Sequence, residues 1–292
     1  MKILFVPVTY NSYDALDKYI ASIGKALDAA DDPTISVTIH VADNSTNHGD
    51  RLYDCGLRPN QKPVPMIRCT HYDNPGYLPA ALSTVYAEDF GSYDYIIISN
   101  VDVVLDETFF TALRDLKADS DTVWVAPYIW SPSEQRDVNP KIQERYTKKR
   151  LRLLRLLFAC PPLYYLYTRT LYRTRKAGQG KDHGDRFLIG SKTTIMQPVP
   201  MIPIYAGHGS FMIFRPEIFQ QEPKLDYPVF LFCEEIFMAE MARRIGKKVT
   251  HCPSVKVWDK EHASTGLMGL WRYCKYNHDA LSYIIRTFYE QD

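Results

Sequence analysis

The sequence of 292 residues lacks several features that would assign it to a common structural class. Its six cysteines are scattered and form no Cys-x-x-Cys motif, which argues against a structural zinc site and favours the reducing cytoplasm. No stretch reaches the roughly 18 apolar residues that a membrane-spanning helix needs. The start, MKILFVPVTYN, has a short apolar run and no small-residue cleavage site, so we predict a first strand there rather than a signal peptide.

Internal repeats and low-complexity linkers are also missing, and up to residue 127 the chain alternates between strand and helix patterns. Such alternation is typical of an α/β domain with a mostly parallel sheet flanked by helices. The predicted strands cover 3–8, 35–42, 66–70, 95–99 and 122–127; the predicted helices follow the first strand and cover 78–88 and 107–117.

The alternation breaks over 128–207, which is rich in proline, tyrosine and arginine, and then resumes. After the break we predict a strand over 228–232, a helix that begins at Glu234, a strand near 249–252 and a C-terminal amphipathic helix. The simplest interpretation is a single domain, 1–292. It would comprise a first half over 1–127, an insertion over 128–207 and a second half over 208–292.

The net charge of +1 hides an asymmetry along the chain. Residues 145–181 contain eleven of the 35 Lys and Arg residues and no Asp or Glu, so the rest of the chain has a net charge of about −10. A concentrated basic segment on an acidic protein predicts an anionic partner for that segment.

Two basic amphipathic helices are predicted within this segment. In the first, the cations are expected on one face and Leu151, Leu154, Leu157 and Phe158 largely on the other. The pattern is typical of a hairpin in a membrane interface, where the cations meet anionic lipid. A solvated flap over the active site is the alternative; nucleic acid is disfavoured because so many leucines are present. The predicted membrane residues are Arg145, Lys148, Arg152, Arg155, Arg169 and Arg173.

Polar side chains follow the predicted strands where a parallel sheet binds its ligands. Asn100, Asp102 and Asp106 come just after the strand at 95–99, and Asp43 follows the second strand. An Asn-x-Asp pair at such an edge suits a divalent cation bound to phosphate, because hard cations prefer oxygen ligands. Strand-end aspartates are also common as caps, and Asp106 is predicted to cap a helix that begins at Glu107.

Five segments together resemble the family 2 glycosyltransferases, and within them the bacterial rhamnosyltransferase-like branch. The resemblance covers about 1–127 and 207–265 and implies a GT-A-like (Rossmann-like) fold with a basic helical insertion. The segments, in order, are VPVTYN (6–11), VADNST (41–46), NPGY (74–77), ISNVDVVLDETFF (98–110) and FLFCEE (230–235).

The resemblance implies a nucleotide site at the sheet edge. Asp43 would accept a hydrogen bond from N3–H of a uracil or thymine ring, although such a residue can also form a simple Asx turn. The backbone of Thr9 and Tyr10 would hold the nucleoside, and Gly76 would allow a turn with positive φ beside it. The implied nucleotide-binding residues are Thr9, Tyr10, Asn11, Asp43, Asn74, Gly76, Asn100 and Asp102.

A metal site is implied at the same edge. Asp102 would hold Mg²⁺ or Mn²⁺ against the two phosphates of a sugar nucleotide, although Asn100 replaces the first acid of the family's Asp-x-Asp motif. Either Asp259 or His262 would complete the metal ligands or contact the diphosphate; a surface loop is the alternative.

Adjacent carboxylates carry the implied catalytic role. Either Glu234 or Glu235 would deprotonate the acceptor hydroxyl, and the resemblance favours Glu235. The other would bind the acceptor sugar, whereas simple helix capping explains the pair without catalysis. His208 and Gly209 lie where the family binds donor or acceptor sugar.

The expected function is an inverting, metal-dependent transfer of a sugar from a dTDP- or UDP-sugar, with dTDP-rhamnose as the family's suggestion. The acceptor would be a lipid-linked oligosaccharide of bacterial surface polysaccharide, such as O-antigen lipopolysaccharide, at the inner face of the cell membrane. A sugar nucleotidyltransferase is one alternative, but VPVTYNSYDA lacks the expected glycine-rich basic loop. A non-catalytic membrane-docking protein on a transferase fold is the other.

Overall fold

We describe the protein from a computed structural model that covers residues 1–46, 65–177, 200–259 and 268–290, with the side chains of 171–177 left aside. The elements of the first half begin with a strand that contains no charged residue after Lys2. In chain order they are β1 Lys2–Thr9, α1 Tyr13–Ala30, β2 Ser36–Asp43, β3 Met66–His71, α2 Tyr77–Tyr86, β4 Tyr95–Asn100, β5 Val103–Leu105, α3 Phe109–Arg114 and β6 Thr122–Ser131.

The second half contributes two long helices from the basic segment and the strands that complete the sheet. Its elements are β7 Arg136–Asp137, α4 Lys148–Ala159, α5 Pro161–Ala177, β8 Ile202–Ile204, β9 Phe211–Phe214, α6 Glu234–Arg244, β10 Lys248–Asp259 and α7 Leu270–Ile284, which continues as a π-helical turn, Ile285–Tyr289.

One ten-stranded sheet runs through the described chain. Eight strands follow the order β3-β2-β1-β4-β9-β6-β10-β5, while β7 pairs with β6 and β8 pairs with β10. Strands β3, β2, β1 and β4 are parallel to one another, as are β6 and β10, whereas β9 is antiparallel to both β4 and β6. This mixed α/β arrangement, with a mostly parallel sheet between helices, confirms the predicted fold class.

Apolar side chains cover both faces of the sheet. On one face Phe5, Phe109 and Phe110 pack together, with ring centroids between 5.3 and 6.3 Å apart. On the other face Trp124 and Phe214 lie under α2, α6 and α7. Strands buried on both faces explain the continuous apolar runs in the sequence.

Two local predictions were wrong. Residues 228–232 form no strand: Tyr77 N donates to the carbonyl of Phe230, and Phe232 has a φ of 74°, which an extended strand does not allow. Helix α3 begins at Phe109 rather than Glu107. Asp106 instead accepts hydrogen bonds from Thr108 N, at 3.0 Å, and from Trp258 Nε1, at 3.1 Å.

The two basic helices form as predicted, but the apolar face of α4 was assigned to the wrong environment. Leu151 is fully buried, and Leu154 and Phe158 pack beside it against the hydrophobic core, where α4 contacts α7. These leucines therefore stabilise the domain and do not face lipid.

Arg145 also differs from its predicted place in a membrane surface. Its Nε lies 2.7 Å from Oε1 of buried Glu240, and its guanidinium lies 4.1 Å from the ring centroid of Tyr289. Arg145 is therefore an internal ion-pair partner. Among the other predicted cations, Arg152 and Arg169 are exposed, Lys148 and Arg155 are half-buried, and the side chain of Arg173 lies outside the described residues.

Candidate active site

Three strand ends meet at one edge of the sheet and carry predicted nucleotide residues. In the strand register Val8 is opposite Asn100, and Thr9 is opposite Asp43. The carboxyl ends of β1, β2 and β4 therefore lie side by side, as expected for a ligand site in an open α/β sheet. The short strand β5 begins immediately beyond Asp102.

Asp43 is buried and held by three donors. Its Oδ1 accepts from Ser45 N at 2.9 Å, while its Oδ2 lies 2.7 Å from the hydroxyl of Tyr13 and 2.9 Å from Nδ1 of His71. Burial acts to raise the pKa of Asp43, but hydrogen bonds from Ser45 and Tyr13 and the charge of His71 outweigh it and lower the pKa. Asp43 is thus an anionic acceptor at the sheet edge.

Tyr13 and His71 were missed by the sequence reasoning. Tyr13 opens α1, and His71 ends β3, so the fold brings both to Asp43 from distant parts of the chain. Polar side chains at the ends of successive strands were the available signal, and His71 falls at such a position.

Cys69 completes a group with Asp43 and His71 whose potential metal ligands lie within 4.8 Å of one another. Burial, and then the charge of Asp43, raises the pKa of Cys69 to about 12, so its sulfur remains a thiol at neutral pH. Mg²⁺ and Mn²⁺ prefer carboxylate and carbonyl oxygen. This group therefore does not fit the metal that the sequence implies.

Two buried polar atoms beside Asp43 have no hydrogen-bond partner within the described residues: Oγ1 of Thr9 and Oδ1 of Asn44. Buried polar atoms are nearly always paired in native proteins, so this place is suited to a polar ligand. Asn11, with a φ of 51°, closes the loop through a 2.8 Å bond from its N–H to Ser45 Oγ. Tyr10, in contrast, is 46% exposed.

The turn at 74–77 contacts the loop that precedes α6. Gly76 has a φ of 117°, and a Cβ atom there would lie 2.2 Å from the carbonyl oxygen of Phe230, so only glycine fits. Asn74 also has a positive φ, of 49°, and Asn44 Nδ2 donates to the Gly76 carbonyl at 3.0 Å. The turn thus joins the edge of the sheet at Asn44 to the loop at 228–233.

Tyr77 and Glu235 both bond to Gly209. The Tyr77 hydroxyl donates to the carbonyl of Gly209 at 2.8 Å, and Gly209 N donates to Oε1 of Glu235 at 3.3 Å. Burial raises the pKa of Tyr77 well above its ordinary value, and nearby acidic groups raise it further. Tyr77 itself was assigned no role from the sequence.

The two catalytic candidates have different surroundings. Glu234 is buried and its Oε1 accepts from Phe232 N at 2.8 Å; burial, and then the charge of Glu235, raises its pKa. Glu235 is half-buried and its Oε1 lies 3.3 Å from Gly209 N. Burial thus favours the protonated form of Glu234, and Glu235 is the more accessible member of the pair.

Asp102 and Asp259 are brought together by the pairing of β5 with β10. Asp259 is opposite Val103 in the register, and Val103 directly follows Asp102. Their carboxylates provide the oxygen ligands that Mg²⁺ or Mn²⁺ prefers. Asn100 is held by a 2.8 Å bond from its N–H to the carbonyl of Ser210. His262 lies outside the described residues.

His208 borders the same region as a neutral side chain. Its pKa is lowered well below the ordinary value by burial and by the charges of Lys141 and Arg136. Its Nδ1 lies 2.9 Å from Ser210 Oγ, and Asn139 Oδ1 accepts from its backbone N–H at 2.7 Å. Residues of the insertion therefore help to form this side of the site.

Comparisons with known proteins identify relatives by fold alone. No protein-family model matches the sequence, and no curated protein matches it significantly. Residues 1–349 of S. aureus TarS superpose with a TM-score of 0.53 over 100% of this chain and 74% of that chain, at 8% identity. The catalytic domain of Drosophila β1,4-galactosyltransferase 7, in complex with xylobiose, gives a TM-score of 0.38 at 13% identity.

The chain covers 64% of that galactosyltransferase domain, and 86% of this chain takes part. The likeness to TarS shows that the chain shares a mixed α/β, GT-A-like fold. At 8% identity it shows the fold and leaves activity to be argued from the site.

Proposed function

We propose that the protein is an inverting glycosyltransferase that uses a nucleotide-sugar donor and a divalent cation. The observation that carries the proposal is that the segment 209–210 contacts both Glu235, through Gly209, and the end of β4, through Ser210 and Asn100, at the sheet edge that also presents Asp43. Both the fold and the order of the five sequence segments agree with such an enzyme.

In this proposal Asp43 and the unpartnered Thr9 Oγ1 bind the nucleoside, with uracil or thymine favoured because each offers an N3–H donor. Asp102 and Asp259 would hold Mg²⁺ or Mn²⁺, which when bound would neutralise charge on the diphosphate. The rhamnosyltransferase branch and dTDP-rhamnose remain part of the proposal.

Glu235 is the proposed base. It would take the proton of an acceptor hydroxyl while that oxygen forms a bond to the anomeric carbon of the donor. The bond from this carbon to the diphosphate breaks, the diphosphate leaves with the electron pair, and the configuration inverts. Glu234, which is buried, would position the loop and contact the acceptor sugar, with His208 and Gly209 beside it.

The proposed acceptor is a lipid-linked saccharide for bacterial surface polysaccharide, reached from the inner face of the cell membrane. Within the described residues, no helix is long and apolar enough to cross a bilayer. The basic segment 145–181 supports contact with an anionic membrane surface. Nucleic acid is not part of the proposal.

A thermal-shift panel of UDP, dTDP, GDP and CDP, each with and without Mn²⁺, tests the donor site. We expect UDP or dTDP to raise the melting temperature in a Mn²⁺-dependent manner, because a ligand of the native state stabilises it by mass action. The shift should be lost in Asp102→Asn and retained in the control Asp106→Asn, which removes the same charge nearby. The absence of a shift with every nucleotide would contradict the proposal and favour a non-catalytic docking protein.

A further inference from the structure

Five large apolar side chains are exposed among the described side chains of helices α4 and α5. Their exposed fractions lie between 48% and 61%, and with the exposed cations Lys149, Arg152 and Arg169 they define what we call the hairpin surface. The apolar members are Leu153, Leu156, Leu163, Tyr165 and Leu166.

Helical geometry places the leucines and the cations of each helix on one stripe. On α4, steps of three and four residues connect Lys149 to Arg152 and Leu153, and both of these to Leu156. These four residues therefore share the side of α4 opposite buried Leu151. On α5 the exposed residues Leu163, Leu166 and Arg169 follow the same spacing. Arginine and leucine therefore lie side by side, unlike the segregated faces that the sequence predicted.

An anionic lipid bilayer fits this surface better than other partners. Exposed apolar clusters on a protein mark interaction sites, and leucines beside cations match the acyl and headgroup layers of a membrane interface. The segment 145–181 contains no acidic residue that would oppose anionic headgroups. Nucleic acid would satisfy the cations but leave the leucines in water.

A row of aromatic rings joins the hairpin to the loop of the proposed base. The Tyr273 ring of α7 lies 6.0 Å from Phe158 and 5.8 Å from Tyr164, on the inner side of the hairpin, and 5.1 Å from Phe232. Phe232 precedes Cys233, the N-cap residue of α6, whose first turn contains Glu235.

A second link is electrostatic and comes from Tyr146, next to the N-cap residue of α4. Burial raises the pKa of Tyr146, the charge of Arg150 lowers it, and the charge of Glu235 adds to the rise. The Arg150 guanidinium lies 4.1 Å from the centroid of the Tyr146 ring. The start of the hairpin is therefore within electrostatic range of the proposed base.

We infer that the hairpin surface docks on an anionic membrane and thereby presents the acceptor side of the active site to that membrane. The inference rests on the proposed function, because it identifies the acceptor as a saccharide anchored in the same bilayer. It also replaces the predicted set of membrane residues: Leu153, Leu156, Leu163, Tyr165 and Leu166 enter it, and Arg145 leaves it.

Vesicle co-sedimentation tests the docking. The full chain is mixed with vesicles of phosphatidylglycerol and phosphatidylcholine, or of phosphatidylcholine alone. We expect binding to the anionic vesicles to fall at least tenfold in Leu153→Ser/Leu163→Ser and in Arg152→Glu/Arg169→Glu. Met66→Ser is the matched control, because Met66 is 52% exposed on a strand away from the hairpin and should leave binding unchanged.

Two results would overturn the inference: no binding of the parent chain to anionic vesicles, or variants that bind as the parent does. Thermal unfolding of each variant shows that it is folded. The nucleotide thermal shift, measured on the same samples, separates the two proposals. A retained shift without docking removes only the membrane inference, whereas docking without any shift removes the transferase and the acceptor assignment and leaves the membrane contact.

Discussion

At the scale of single residues, burial distinguishes the two adjacent glutamates. Glu234 and Glu235 are equivalent in the sequence, and both fall in the first turn of α6, where negative charge is favoured. The fold buries the first and leaves the second half-exposed beside Gly209. Which of the two carries a proton could therefore not be predicted from sequence, since it depends on packing by Tyr77 and the 228–233 loop.

Glu234→Gln should stabilise the protein at alkaline pH. The native pKa of Glu234 is raised above its ordinary value of 4.5, so its contribution to stability is complete below that value and is lost as pH rises through the native pKa. Glutamine keeps the acceptor for Phe232 N and cannot ionise. We expect the free energy of unfolding at pH 9 to increase by about 1–2 kcal/mol, measured with urea.

Glu235→Gln serves as the comparison in the same titration. This variant changes a half-buried side chain next to Glu234. We expect it to keep the loss of stability at alkaline pH, which Glu234→Gln should remove. Equal urea midpoints for Glu234→Gln and the parent protein at every pH would argue that Glu234 is ionised in the native state.

Asp43→Asn should weaken nucleotide binding while it leaves the fold intact. An asparagine oxygen accepts from Ser45 N or Tyr13 OH as the aspartate does, but the charge that pairs with His71 is lost. We expect at least a tenfold rise in the Kd for UDP or dTDP, about 1.4 kcal/mol, measured by calorimetry with Mn²⁺ present. Thr46→Ala, at an exposed position of the same loop, is the control; equal affinities in both variants would contradict the assignment of Asp43.

At the scale of elements, the sequence patterns predicted the existence of strands and helices better than their surroundings. The helices α4 and α5 were predicted from their periodicity, yet the same periodicity cannot tell a face that meets α7 from one that meets lipid. Likewise the apolar run at 228–232 resembled a strand, and the bonds from Tyr77 and the positive φ of Phe232 prevent one.

Arg145→Ala should destabilise the contact of the insertion with α6. Burial acts to raise the pKa of Glu240, but hydrogen bonds from Arg145, Tyr205 and Arg243 lower it, so Glu240 is buried as an anion. Removal of one partner leaves that charge poorly compensated, at a cost of about 3 kcal/mol. Urea unfolding at pH 7 measures this loss.

The loss in Arg145→Ala should shrink as pH falls, because a lowered native pKa means that the stability from Glu240 is lost on acidification. Arg152→Ala, at an exposed site of α4, should change stability by no more than about 0.5 kcal/mol. A similar loss in both variants would show that the ion pair contributes nothing specific.

At the scale of the whole molecule, the two halves share one sheet. Strand β9 of the second half lies between β4 and β6 of the first, and β10 pairs with both β5 and β6. The alternation of strand and helix patterns predicted the α/β class from the sequence. The antiparallel insertion of β9 could not be predicted, because its partners are about 90 residues or more away in the chain.

A fragment of residues 1–131 should therefore fail to fold by itself. Without β9 and β10 it would expose both edges of β6 and one edge of β4, together with the apolar side chains that they cover. We expect poor dispersion in its amide NMR spectrum and protease sensitivity, both relieved by adding residues 200–292. A well-dispersed spectrum of the fragment alone would show that the first half is an independent domain.

The loop at 228–233 lies between the turn at Gly76 and the helical hairpin, and it contacts both sides. Phe230 meets Gly76 on the nucleotide side, and Phe232 meets Tyr273 on the hairpin side. We expect a displacement of this loop on one side to move it on the other, which would link nucleotide binding to membrane docking thermodynamically. Linkage is reciprocal: if vesicles tighten nucleotide binding by some factor, the nucleotide tightens vesicle binding by the same factor. A membrane rich in acceptor would then bind the protein more tightly when the donor nucleotide is bound than when it is absent.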